Sequence, residues 1–177
     1  MKKIWLLLLL SVFLVGCSGG ETAGNNTPVE PVNSVSEDIN EVELAETYVF
    51  VANGVEIAMN AEVTPVLEKL GESKEYFEAE SCAFQGMERT YTYDGFELYT
   101  YEIDGVDSVA SISFLDDSVK TQEGIYLFST LDEVLDAYGD NYEENLGLYT
   151  YVQGDSKLTF LVDNDEVVSI EYIAITE

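Results

Sequence analysis

The side chains able to do chemistry in this chain are two cysteines, 35 carboxylic acids and 12 tyrosines, while histidine is absent. Without histidine the chain lacks the usual proton shuttle near neutral pH, the commonest zinc ligand, and the base of every Ser-His or Cys-His pair. The absence of histidine does not exclude catalysis by carboxylates. However, among 35 acids some pair can always be selected as the two carboxylates of a glycoside hydrolase, so such a pair does not indicate an active site. We therefore expect no catalytic residues, no metal and no other cofactor.

Acidic residues gather in two short segments whose oxygen atoms resemble metal ligands. They are Asp104, Asp107, Asp116 and Asp117 in one, and Asp163, Asn164, Asp165 and Glu166 in the other. Neither segment has the alternating ligands and closing bidentate glutamate of a calcium loop. Hairpin turns are built from the same residue types. Solvated turns are therefore the expectation, with calcium binding as the alternative.

Six tyrosines fall in pairs separated by one residue. They are Tyr91 with Tyr93, Tyr99 with Tyr101, and Tyr149 with Tyr151. Because residues two apart in a strand point to the same face, each pair shares a face. If those faces are open, they suit protein recognition or sugar stacking, so the six tyrosines form our candidate binding face. The alternative is that they occupy ordinary half-buried strand positions, which tyrosine favours.

The first residues have the pattern of an export signal. Lys2 and Lys3 precede an apolar run at 4–15. This run is shorter than the about 20 apolar residues that a bilayer-spanning helix requires. It has the length of the apolar region of a signal peptide.

The apolar run ends in Leu14-Val15-Gly16-Cys17, which resembles the lipobox of bacterial lipoproteins. The resemblance implies cleavage between Gly16 and Cys17 by lipoprotein signal peptidase and attachment of diacylglycerol to the Cys17 thiol. Two acyl chains anchor a protein stably, whereas one holds it only reversibly. Lipidation of Cys17 would leave Cys82 without an intramolecular partner, as an inert buried thiol. The alternative is an ordinary signal peptide that happens to end in Gly-Cys.

The segment that follows has the composition of a disordered tether. From 18 to about 46 it is rich in Ser, Gly, Asn, Pro and Glu and has no sustained apolar period. Lys2 and Lys3 account for two of the seven basic residues, so five basic residues face 35 acidic ones in the rest of the chain. This charge argues against binding nucleic acid or an anionic bilayer surface. It permits basic protein partners.

The remaining sequence predicts short strands and two short helices. A hairpin spans 48–59 around Asn53-Gly54, which suits a type I′ turn. Helices are predicted at about 61–70, with its regular part starting at Thr64, and at 130–138. Each helix stops at a glycine, Gly71 or Gly139. The second starts in a capping box assigned to Ser129 and Asp132. Strands are predicted at 89–93, 96–103, 108–115, 148–152, 157–162 and 167–175.

These elements repeat in the same order. Val66-Leu67-Glu68-Lys69-Leu70-Gly71 matches Val134-Leu135-Asp136-Ala137-Tyr138-Gly139, and Tyr91-Thr92-Tyr93 matches Tyr149-Thr150-Tyr151. Each half is thus a helix followed by three strands, at about 60–117 and 125–177. Neither half buries its sheet face with one short helix. We predict one α+β domain at 47–177, in which short helices cover one face of an antiparallel sheet and a β-hairpin precedes them.

Tandem helix-plus-meander units behind a lipobox resemble the β-lactamase inhibitory protein fold and the BamE/SmpA-like envelope lipoproteins. The segments Ser81-Cys82-Ala83-Phe84-Gln85-Gly86, Asp116-Asp117-Ser118-Val119 and Glu123-Gly124-Ile125 are similar to a group of Gram-positive surface lipoproteins without an assigned activity. No inhibitory loop matches residue by residue, so the resemblance does not imply inhibition of a β-lactamase.

Three regions result: a signal peptide at 1–16, the lipidated cysteine and tether at 17–46, and the domain at 47–177. The function predicted is that of a binding module outside the cytoplasmic membrane, anchored to the membrane through Cys17, which contacts a protein or a cell-wall polymer. The alternative is a carboxylate-dependent hydrolase acting on cell-wall glycan.

Overall fold

The computed structural model describes residues 47–81, 86–103 and 105–176. The predictions for the signal peptide, Cys17, the tether, Cys82 and Asp104 lie outside the described residues. No helix in the described ranges has the length and hydropathy needed to cross a bilayer.

The described chain is mostly β-structure with two short helices. Its elements in chain order are β1 (Val49–Ala52), β2 (Val55–Ala58), α1 (Thr64–Leu70), β3 (Glu75–Glu80), β4 (Met87–Thr92), β5 (Phe96–Ile103), β6 (Val106–Phe114), α2 (Leu131–Tyr138), β7 (Glu143–Asn145), β8 (Leu148–Gln153), β9 (Ser156–Asp163) and β10 (Glu166–Ala174).

The strands form two antiparallel sheets. Strands β1 and β2 make a separate hairpin, and the other eight form one sheet in the order β3-β4-β5-β6-β10-β9-β8-β7. Each helix therefore precedes a meander of consecutive strands, β3–β6 or β7–β10. The two meanders meet at the centre, where β6 pairs with β10 through Ser111, Ile112 and Ser113.

The predicted combination of helices, an antiparallel sheet and a preceding hairpin is confirmed, but the prediction of three strands after each helix is wrong. Each meander has four strands, because β3 and β7 were not predicted. All residues of β3 except Ala79, and all of β7, are exposed, and they form the two edges of the sheet. Strand β3 alternates apolar and polar residues over only four positions, 77–80, and β7 has no apolar residue, so the pattern by which strands are recognised is short in one and absent in the other.

The core lies on one face of the eight-stranded sheet. Val66 of α1, Val134 of α2 and Phe50 of the hairpin are buried in one cluster with sheet residues such as Leu98 and Ile170. The helices and the hairpin thus pack on this inner face. We call the opposite face the open face, since no described helix contributes side chains to it.

The helix ends follow local rules, with one correction. The N–H groups of Gly71 and Gly139 donate to the carbonyls of Leu67 and Leu135 at 2.9 and 2.8 Å. Both glycines have positive φ, at 80° and 76°, which glycine adopts without strain.

The capping box lies one residue later than predicted. The Glu133 N–H donates to Thr130 Oγ1 at 3.3 Å, and the Thr130 N–H donates to Glu133 Oε2 at 2.7 Å. Ser129 is buried, and its hydroxyl oxygen accepts from the Tyr126 N–H instead. Serine and threonine are both good N-caps, so only the path of the backbone decided between them.

Candidate functional site

A row of carboxylates and hydroxyls crosses the open face. The strand register places one such residue from each strand side by side: Glu75, Thr92, Glu97, Ser113, Glu171, Thr159, Thr150 and Glu143. We call this the polar row. Adjacent strands lie about 4.8 Å apart, so the polar row extends about 34 Å across the sheet.

Hydrogen bonds hold several members of the polar row in place. Thr92 Oγ1 donates to Glu97 Oε1 at 3.2 Å, and Ser113 Oγ donates to Glu171 Oε1 at 3.0 Å. The Tyr99 hydroxyl donates to Glu97 Oε2. These bonds orient two carboxylates on the sheet surface and leave them able to accept further donors, since each oxygen has two acceptor sites.

A groove lies beside the polar row, over strands β3 to β6. Its volume is about 310 Å³, and its lining includes Phe77, Ala79, Thr90, Tyr99 and Ser111. Phe77 has 65% of its surface exposed. Strand β6 carries a bulge here, because the register shifts between Tyr99 and Thr100. A bulge bends and twists a sheet locally, which accounts for a concave surface at this point.

The six predicted tyrosines do not form one exposed face. Tyr93, Tyr101 and Tyr151 are only 8%, 6% and 2% exposed. The hydroxyls of Tyr93 and Tyr151 donate to the carbonyls of Gly71 and Gly139, at 3.2 and 3.0 Å. These two tyrosines therefore brace the ends of the helices. Burial raises the pKa of both phenols, that of Tyr151 to about 12.

Tyr91 and Tyr149 are half-buried and also lie on the inner face. Tyr91 is paired with the buried Leu98, and Tyr149 with the buried Phe160. Their rings lie 5.1 Å from Tyr76 and 5.0 Å from Tyr142, respectively. Both rings are engaged by aromatic neighbours on the covered side of the sheet.

Of the six tyrosines, Tyr99 and Tyr101 contribute to the groove. The Tyr101 hydroxyl donates to Asn60 Oδ1, so this side chain is anchored away from the surface. Tyr99 is half-buried, and burial together with the hydrogen bond to Glu97 raises its pKa to about 12. Tyr99 is thus the half-buried tyrosine of the predicted set that lies on the open face and lines the groove.

Arg89 lies among acids next to β3. Its guanidinium is 3.1 Å from Asp107 Oδ2 and 3.7 Å from carboxylate oxygens of Glu78 and Glu102. Burial lowers the pKa of Arg89, but attraction to Asp107 together with the interactions with Tyr76 and Tyr91 leaves it raised. The single positive charge of Arg89 is shared among three carboxylates. The net charge of this group of side chains next to β3 is therefore negative.

Asp116, Asp117, Asn164 and Asp165 lie in turns as expected, whereas the expectation is wrong for Asp107, which lies in β6 and pairs with Arg89. Asp116 Oδ1 accepts the Ser118 N–H at 2.8 Å, and hydrogen bonds to Ser118 lower the pKa of this carboxyl. Asn164 and Asp165 have positive φ in the β9–β10 turn. In residues 47–81, 86–103 and 105–176, no three acidic or cysteine side chains converge as a metal site.

The sequence did not reveal the polar row or the role of Phe77. Members of the row come from eight strands, and only the register between strands makes them neighbours. Phe77 and Ala79 lie in β3, where apolar and polar residues alternate over only four positions, 77–80, which is short evidence for a strand. A signal visible in hindsight is that Thr92 and Thr150 occupy matching positions in the repeated Tyr-Thr-Tyr segments.

Comparison with known proteins is almost uninformative. No protein-family model matches the chain, and no curated protein matches it. A crystal structure of an extracellular protein containing an SCP domain from Bacillus anthracis str. Ames has a TM-score of 0.49 and 14% identity, covering 83% of this chain and 50% of that one. The chain thus spans about half the length of that protein. A likeness this low supports no statement about fold or function.

Proposed function

We propose that this chain is a lipid-anchored interaction module outside the cytoplasmic membrane, and that its open face binds a basic surface of another envelope protein. The single observation that carries the proposal is the polar row, which presents four glutamates on a sheet face that neither described helix covers. The anchor and location rest on the lipobox at Cys17 and the acidic segment after it.

Charge and shape support a basic protein partner. The chain has a net charge of −28, so an acidic or nucleic-acid partner would be repelled. Apolar side chains flank the polar row, with Phe77 and Tyr99 on one side and the exposed Leu148 and Leu161 on the other. Interfaces commonly combine apolar anchors with charged groups that orient the partner.

The test neutralises the polar row without removing its hydrogen-bond acceptors. The full chain carrying Glu97→Gln and Glu171→Gln is compared with wild type in crosslinking and capture from envelope extract. A chain with Glu68→Gln and Asp136→Asn is the control, because these exposed helix residues give the same change in charge on the other side of the molecule. We expect capture to fall about tenfold in the first variant and little in the control.

Equal capture by wild type and both variants would contradict the proposal. Equal loss in both variants would also contradict it, since net charge rather than the open face would then drive binding.

The alternative function, hydrolysis of wall glycan by a carboxylate pair, needs a general acid with a raised pKa. Among residues 47–81, 86–103 and 105–176, the carboxyls whose pKa values are displaced are Asp116 and Asp155, and hydrogen bonds lower both pKa values. No structural observation therefore favours this alternative. Release of soluble fragments from purified peptidoglycan, abolished by one Asp→Asn or Glu→Gln change, would establish it in place of the binding module.

We infer further that the two helix-plus-meander halves are copies of one unit. Ser113 and Glu171 are 58 positions apart and pair directly where the meanders meet. The same offset relates Thr92 to Thr150 and the helix-bracing Tyr93 to Tyr151. This offset is expected if a pseudo-twofold axis passes through the Ser113–Glu171 pair. Copies should lose similar stability on Tyr93→Phe and Tyr151→Phe, whereas a loss at one position alone would contradict the inference.

A further inference from the structure

Strand β3 forms an edge of the eight-stranded sheet that is open to another strand. Among the described residues it pairs only with β4. An antiparallel edge strand leaves alternate backbone N–H and C=O groups without a strand partner. Proteins usually protect such edges with charged side chains, proline, a bulge or a very short strand. The opposite edge, β7, has only three residues, whereas β3 has six, and its charged residues are three glutamates, which disfavour an acidic strand but not a basic one.

The groove begins at this edge. Phe77 and Ala79 of β3 line the groove at the edge of the sheet, and Tyr99 of β5 and Ser111 of β6 line it closer to the centre of the sheet. Side chains alternate along β3, so Phe77 and Ala79 point to the open face while Tyr76, Glu78 and Glu80 lie on the inner side. A strand added beside β3 would place every second side chain next to the groove.

The charge of β3 restricts what this added strand is. Glu75, Glu78 and Glu80 lie within six residues, and Arg89, which contacts Glu78, is shared with Asp107 and Glu102. A second copy of β3 would set glutamates against glutamates. The chain's own segment 18–46 is also unsuitable, because every charged residue in it is acidic. A basic segment of another protein is the occupant that these charges favour.

We propose that β3 accepts an extended basic segment of a partner protein as an additional antiparallel strand, with an aromatic side chain of that segment lying in the groove. Lysine or arginine side chains opposite Glu78 and Glu80 would meet the carboxylates, and the aromatic side chain would stand opposite Ala79. This proposal rests on the proposed function and names the part of the partner that is recognised. Recognition by strand addition takes its affinity from backbone hydrogen bonds and its specificity from alternate side chains.

The test uses the full chain in a non-ionic detergent and a synthetic peptide of about nine residues, blocked at both ends, the length of a typical strand. The peptide has lysine at every second position and a central phenylalanine. Two further peptides carry N-methyl groups on one or the other alternate set of amides. In a strand added to an edge, only one set of amides donates to the neighbour. One methylated peptide should therefore lose binding, and the other should bind like the parent.

The protein side of the test is a pair of matched charge reversals at the two edges. Glu80→Lys should weaken binding of the parent peptide about fivefold, by replacing an attraction with a repulsion. Glu144→Lys, the same change at the β7 edge on the inner face and outside the polar row, should alter it less than twofold. Hydrogen exchange should show the amides of β3, and not those of β7, becoming protected when peptide is present.

Equal binding of both methylated peptides would overturn the proposal, because electrostatic attraction alone would then suffice. Protection of β3 that grows with protein concentration in the absence of peptide would also overturn it, by showing that a second copy occupies the edge. Envelope capture that depends on Glu97 and Glu171 but leaves β3 unprotected would refute strand addition and leave the proposed function standing.

Discussion

Two tyrosine hydroxyls perform the same task at the ends of the two helices. Tyr93 donates to the Gly71 carbonyl and Tyr151 to the Gly139 carbonyl. Each bond satisfies a helix carbonyl that has no partner within the helix. Tyr93→Phe and Tyr151→Phe should each lower the free energy of unfolding by about 1 kcal/mol. Urea denaturation measures this, with Tyr149→Phe as the control, since the Tyr149 hydroxyl has no hydrogen bond to a described residue.

The buried phenols also predict a response to alkali. Burial raises the pKa of Tyr151 from 10.0 to about 12, and it raises those of Tyr138 and Tyr172 as well. A group whose pKa is raised on folding stabilises the fold fully below its unfolded value, here pH 10. That stability is lost as the pH rises towards 12. Phenolate absorbance and circular dichroism should therefore change together in this window. The prediction would be contradicted if most tyrosines ionised near pH 10 while the circular dichroism of the folded chain stayed unchanged.

At the scale of elements, the two helices begin differently. Helix α2 has a complete capping box between Thr130 and Glu133, whereas α1 begins after Val63, which makes no side-chain cap. Thr130→Ala should cost about 1 kcal/mol of unfolding free energy. Thr64→Ala, at the start of α1, removes no cap and should change stability by less than about 0.5 kcal/mol. Thermal unfolding of both variants distinguishes a cap effect from a general effect of threonine replacement.

At the scale of the whole molecule, Asn60 joins segments that are distant in sequence. Its side-chain amide donates to Asp155 Oδ2 at 3.0 Å and to the Ile175 carbonyl at 3.4 Å, and its oxygen accepts from the Tyr101 hydroxyl. These contacts link the two meanders near β6 and β10, where only three residue pairs connect the sheet. The hydrogen bond from Asn60 also lowers the pKa of Asp155.

Asn60→Gly should therefore destabilise the chain by about 2 kcal/mol, since it removes several hydrogen bonds at once. Glycine keeps the positive φ of 63° that Asn60 adopts, so the loss would not come from the backbone. Asn53→Gly is the control, because Asn53 has a φ of 52° and is exposed in the hairpin turn. Equal stability of the two variants in urea would show that the Asn60 side chain does not connect the halves.

Net charge gives a second prediction at this scale. The chain has a net charge of −28, and this excess of acids produces self-repulsion in the folded state, which salt screens. The midpoint of thermal unfolding should rise as sodium chloride is raised from low concentration, and glucose at equal osmolality serves as the control. A midpoint that falls with salt would mean that favourable ion pairs, such as those of Arg89, dominate over repulsion.

The sequence by itself determined those features that local chemistry decides. Asn53-Gly54 placed the first hairpin, Gly71 and Gly139 placed the helix ends, and turn residues such as Asp94-Gly95 separated the runs predicted as six further strands. These signals depend on backbone conformation or on one buried face, so neighbouring residues are enough to reveal them. The edge strands β3 and β7 were not predicted, because alternation covers only four residues of β3 and β7 has no apolar residue.

Only the tertiary structure decided which side chains share a surface. Alternation correctly put Tyr91 with Tyr93 on one face, but which face the helices cover depends on how α1, α2 and the hairpin pack together. That packing buried Tyr93 and Tyr151 and left Phe77 and the polar row on the open face. Eight residues spread between Glu75 and Glu171 become neighbours through the strand order and register, which are long-range properties that no local pattern encodes.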